Sequence, residues 1–100
     1  MIDFGQLDYM ESRVLRFGFD RDLQAGETMT DITLEIEVER GTDAQPELLK
    51  QGSVLVDGQD VLQLVQGRVA NVKYHFRCRC KGATTGLWHV VPGYLYVKRG

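Results

Sequence analysis

Two cysteines, two histidines and one group of carboxylates are the residues best placed to do chemistry here, and their spacing decides which chemistry is open. Cys78 and Cys80 lie two apart. On a β-strand such residues share a face and stand roughly 6.5 to 7 Å apart, too far for an unstrained disulfide. A zinc site would need two further ligands. The candidates are His75 and His89, and His75 falls on the opposite face of the cysteine strand. Buried, inert thiols are the plainer expectation. Neither histidine comes with a nucleophile in a recognisable elbow, so no catalytic residue is assigned and no enzyme is expected. His75 reads as a solvated strand residue, and His89, beside Trp88, as a packing or contact residue. Asp20, Asp22, Glu27 and Asp31 cluster around one turn. Oxygen ligands at short spacing suit calcium, but the EF-hand spacing is missing, and Asp and Glu are ordinary turn residues. No phosphate-cradling glycine loop occurs. The expectation is no metal and no cofactor.

The chain that carries these residues has a dominant period of two. In Thr30 to Glu39, Ile32, Leu34, Ile36 and Val38 fall on one face, and Thr33, Glu35, Glu37 and Glu39 on the other. In Val72 to Lys81, Val72, Tyr74, Phe76, Cys78 and Cys80 oppose Lys73, His75, Arg77, Arg79 and Lys81. Half-buried strands need this alternation, because successive side chains point to opposite faces. Shorter strands are expected at Arg13–Phe19, Ser53–Val56, Val61–Val65, Leu87–Val91 and Tyr94–Lys98. Asp57-Gly58-Gln59-Asp60 reads as a hairpin turn, with Gly58 supplying a positive φ. Pro92-Gly93 either turns the chain or bulges one long last strand. A short helical turn is expected at Pro46–Lys50. Residues 1–12 have no strong period and read as an extended arm ahead of a domain at 13–100.

About seven short strands imply an all-β sandwich or barrel. From Leu64 the chain passes Gly67 and Ala70 to reach Tyr74 at the start of the penultimate strand. That is the tyrosine-corner arrangement of an immunoglobulin-like antiparallel β-sandwich, whose tyrosine hydroxyl bonds back to the corner backbone. Tyr74 as a plain core-facing residue stays equally open. Ile36 and Phe76 are expected core.

One hundred residues fit one domain, and 43% hydrophobic content is too high for a disordered chain. No run approaches the ~20 apolar residues of a membrane-spanning helix, so no membrane partner is expected. The opening Met1-Ile2-Asp3-Phe4 lacks the basic and apolar regions of a secretory signal, which points to folding in a reducing cytoplasm. Charge is divided along the chain. Residues 1–50 carry five basic and twelve acidic side chains, a net −7, and residues 51–100 carry seven and two, a net +5. Such a split suggests function by docking. The interaction candidates are Glu35, Glu37 and Glu39 on one strand and Lys73, Arg77, Arg79 and Lys81 on the other. Adjacent in one sheet, they would form cross-strand ion pairs. In opposite sheets, they would give faces of opposite charge that let copies meet in a ring or array. The basic stripe could follow phosphates, but no stacking aromatics alternate with it, so a protein partner ranks first and nucleic acid is not expected. Trp88, Tyr94 and Tyr96 either form a platform for sugar or a host protein, or pack within the sheet or between subunits.

Several short blocks carry a resemblance. Phe17 to Asp20 ends a strand as Phe-x-Phe-Asp, followed by Leu23-Gln24-Ala25-Gly26-Glu27-Thr28. Later come Leu64-x-x-Gly67-x-Val69-Ala70-x-x-x-Tyr74-x-Phe76-x-Cys78, then Thr84-Thr85-Gly86 and the ending Leu95-Tyr96-Val97. Over roughly residues 13 to 98 the chain resembles small immunoglobulin-like virion proteins of tailed bacteriophages, the fibre–tail adaptors and related head–tail components. It departs from them at Phe19, where a tryptophan is common, and at Gly67-Arg68, where a Gly-Gly pair is. The resemblance implies a non-enzymatic structural subunit, present in several copies, that joins other virion proteins. It would be located in the virion and assembled in the bacterial host cytoplasm. A capsid decoration protein and a carbohydrate- or host-protein-binding module are the alternatives.

Overall fold

The computed structural model describes residues 1–99. Seven strands follow in order: β1 Ile2–Asp8, β2 Ser12–Gly18, β3 Met29–Arg40, β4 Leu55–Asp57, β5 Asp60–Gln66, β6 Val72–Gly82 and β7 Trp88–Lys98. A 3-10 turn at Pro46–Leu49 is the helical element among the described residues. Two sheets form a β-sandwich, one ordered β1-β7-β6-β3 and the other β2-β5-β4.

Each sheet turns its apolar parity inward. Leu15, Phe17, Val61 and Val65 line one side of the core, and Leu34, Ile36, Tyr74, Phe76, Cys78, Leu95 and Val97 the other. Ile36 and Phe76 are both buried, as expected. Between the layers, Phe4 meets Phe17 edge-on at 5.2 Å and Phe76 at 6.1 Å. Gly93 leaves room for this ring, since a Cβ there would stand 2.5 Å from Phe4 Cε2. Pro92 and Gly93 sit inside β7, opposite Arg77 and Phe76, so they neither turn the chain nor end the strand. Gly58 takes φ 61° in the β4–β5 hairpin.

The amino terminus departs from expectation. Residues 2–8 are a strand that pairs in parallel with β7, not a free arm. Leu7 is buried, and Phe4 packs against the core. The irregular alternation that hid this strand has a cause: the register shifts between Asp3 and Gln6, and Gly5 takes φ 76°. Arg13 closes the strand's outer edge by donating to the carbonyls of Phe4 (2.9 Å) and Gln6 (2.8 Å). A guanidinium there blunts an otherwise pairable edge.

Candidate functional site

Counting β1 changes where the charged stripes fall. Thr30–Glu39 is part of the third strand, and the third lies beside the sixth in one sheet. Glu35 stands opposite Arg77, and Glu37 opposite His75. Glu35 pairs with Arg79 (3.4 Å); Glu37 pairs with Arg77 (3.3 Å) and with His75 Nδ1 (2.9 Å). The arrangement with opposite charges on opposite sheets is therefore corrected: Glu35 and Glu37 pair with Arg79, Arg77 and His75 on one outer face, while Glu39, Lys73 and Lys81 are in no salt bridge among the described residues. Their separation in sequence reflects only that β3 comes from the acidic half and β6 from the basic half.

A third stripe completes this face. Trp88, Val90, Pro92, Tyr94 and Tyr96 of β7 lie opposite Lys81, Arg79, Arg77, His75 and Lys73 of β6. Lys73 Nζ stands 4.7 Å above the Tyr94 ring, and Lys81 Nζ 6.0 Å from Trp88. His75 stacks on Tyr94 at 4.8 Å and is buried by its neighbours, which corrects its reading as a solvated residue. The aromatic residues do not form one platform. Tyr94 and Tyr96 line an open cavity of about 460 Å³ with Asp3, Gln6, Arg40 and Lys73. Trp88 and Val90 project at the other end of β7, 57% and 48% exposed.

Tyr74, the third residue of the penultimate strand, is fully buried, but its hydroxyl does not return to the corner backbone. It donates to Asp43 Oδ2 at 2.7 Å, in the loop after β3. Burial first, then this carboxylate, pushes the phenol well above its ordinary pKa. Gly67 serves the corner by closeness: a Cβ there would stand 2.8 Å from Val97 Cγ1. Cys78 and Cys80 are free and buried. Burial, with the neighbouring Cys80 thiol, pushes Cys78 up to about 12, so it remains a protonated thiol at neutral pH.

The carboxylate of the acidic cluster with the clearest role is Glu27, and that role is structural. Its Oε2 accepts from the Thr84 N–H (3.0 Å), the Thr85 N–H (2.8 Å) and the Thr85 hydroxyl (3.1 Å), and its Oε1 from the Gln24 N–H (3.0 Å). Donation to the charged form, led by the Thr85 N–H, holds this carboxyl below its ordinary pKa. Gln59 Nε2 adds bonds to the carbonyls of Gln24 and Glu27, tying in the β4–β5 hairpin. Three loops from both sheets are thus knotted at one end. Among the described residues no group of three metal-ligating side chains occurs. No described helix is long and apolar enough to cross a membrane.

The outer face of the three-stranded sheet was not singled out from the sequence. There Val14 pairs with Leu64, and Leu62 with Leu55. Leu55 is 67% exposed and Val14 55%. A signal existed: Val61, Leu62, Leu64 and Val65 are apolar at both parities, so β5 has no polar face. Arg13 and Asp43 also went unnoticed, because capping an edge or a hydroxyl across loops leaves no periodic trace. No protein-family model matches the chain, and no curated protein matches it either.

Proposed function

We propose that this chain is a structural subunit of a tailed-phage virion, an immunoglobulin-like adaptor that joins tail, fibre or head–tail components through protein–protein contacts. One observation carries the reading. Bare apolar residues point outward from both sheets, at Val14, Leu55 and Leu64 and at Trp88 and Val90. Exposed apolar clusters on a small braced domain mark contact surfaces. Grouping β3, β6 and β7 in one sheet and β2, β5 and β4 in the other follows the strand assignment of immunoglobulin-like domains, with the first strand on the other sheet. Two blocks behind the phage resemblance, Leu23–Thr28 and Thr84–Gly86, meet through Glu27, which supports reading them as one structural device.

Mass spectrometry and immunogold labelling of purified particles test this. The adaptor reading expects the protein at the tail or head–tail junction, and its absence from particles rules the reading out. Label spread over the capsid would instead favour a decoration protein. A second reading, sugar or host-protein binding, draws on the cavity at Tyr94 and Tyr96, where aromatic faces meet both charge signs. A glycan array with Tyr96→Ala as control tests it, because Trp88 stands apart from that cavity.

A further inference from the structure

The two exposed apolar patches differ in shape and in charge. On the three-stranded sheet, Val14, Leu55, Leu62 and Leu64 make a strip across the outer face. Asp57 and Asp60 rim one end of it, both paired to the single cation Arg16, so the rim is net acidic. On the four-stranded sheet, Trp88 and Val90 stand out beside Lys81 and Arg79. Glu35 neutralises Arg79, while Lys81 leans on the Trp88 ring and is in no salt bridge among the described residues. This rim is net basic. The Trp88–Val90 corner lies at the end knotted by Glu27 and Thr85, whereas the strip runs from Leu55 and Leu62, beside the Gln59 hairpin, to Val14 and Leu64 in the far half of its sheet, on the opposite side of the sandwich.

We infer that these are the two halves of one head-to-tail self-contact: the Trp88–Val90 corner of one copy seats on the Val14–Leu64 strip of the next, with Lys81 against Asp57 and Asp60. The occupant is a second copy because the chain itself carries both complementary surfaces. Two-fold pairing of either patch with itself would instead bring like charges together, acid to acid or Lys81 to Lys81. Unlike surfaces on opposite faces propagate, closing into a ring where the rotation permits and otherwise running on as a filament. The inference rests on the assembly reading above and names its contact. Each patch covers on the order of a few hundred Å², short of the ~800 Å² per partner in a stable pair. The contact is therefore concentration-dependent in isolation and gains from multivalency in a closed assembly.

Analytical ultracentrifugation of the purified full chain, up to about 1 mM, tests it. Wild type is expected to assemble with concentration. Trp88→Ala and Leu64→Lys each weaken assembly by about tenfold or more. Mixed together they form a one-to-one dimer that grows no further, since each retains one intact surface. Both substitutions are at exposed positions, and circular dichroism confirms the fold. Should either misfold, Lys81→Glu and Asp57→Lys replace them, each weak alone and restored on mixing. A monomeric wild type at the highest concentration overturns the inference, as does undiminished assembly by either variant alone. Particle mass spectrometry reports separately: a monomer found in virions sinks only the self-contact, and a self-assembling chain absent from virions sinks only the virion reading.

Discussion

Glu27 does more for this fold than its place in a turn suggests. A carboxylate that accepts four bonds is held ionised, and the sign of the pH dependence follows. Its pKa is lower folded than unfolded, so its stabilisation is complete above the unfolded value near ~4.3 and is lost as pH falls through the folded value. Glu27→Gln is expected to lower the urea midpoint at pH 7 and to flatten the stability–pH curve below about pH 4, as read by denaturant titrations across pH. Cys78 and Cys80 give a simpler test. Both thiols are buried, and Cys78 stays protonated, so a thiol-reactive dye should label neither in the native state and both after unfolding. Tyr74→Phe removes the donor to Asp43 and is expected to cost about 1–2 kcal/mol in chemical denaturation.

At the scale of elements, the β3–β6 pair separates what is conspicuous from what is strong. Its outer ion pairs are partly exposed and worth ~0.2–1 kcal/mol each. Its inner face carries Ile36, Leu34 and Phe76. Glu35→Ala should therefore cost less than about 1 kcal/mol, and Ile36→Ala about 2–4 kcal/mol, both by urea unfolding. Strand β1 makes a sharper contrast. An arm could be removed without harm, but deleting residues 1–8 uncovers the edge of β7 and removes Leu7 and Phe4 from the core. The truncated protein should unfold at markedly lower urea or aggregate through the bared edge.

For the whole molecule, dimensions of 43 × 21 × 19 Å describe a slender sandwich whose end is braced by three loops. The brace holds the Trp88–Val90 corner against the Leu55–Leu62 end of the opposite strip, and a repeating assembly requires a fixed relation between its two contact surfaces. Gly82 belongs to this brace, since a Cβ there would stand 2.5 Å from Glu27 Oε2. Gly82→Ala should weaken stability and self-assembly together, whereas Trp88→Ala should weaken assembly alone; paired melts and sedimentation runs distinguish them.

For β3 and β6, strand identity and core-facing parity were written in the sequence, because alternation is local and every second side chain must share a face; β1, with its register shift between Asp3 and Gln6, was not. The hairpin at Gly58 and the turn at Pro46 were legible for the same reason: their chemistry lies within a few residues. Which strands became neighbours was not local. Only the folded chain placed β1 against β7 and β3 beside β6, pairing Glu35 and Glu37 with Arg79, Arg77 and His75. Glu27 reaching Thr85 and Tyr74 reaching Asp43 span 58 and 31 residues, distances at which no periodicity speaks. The exposed strip at Val14 and Leu64 was decided in the same way, since apolar residues at both parities of β5 leave open which side finds a cover until the second sheet takes one of them.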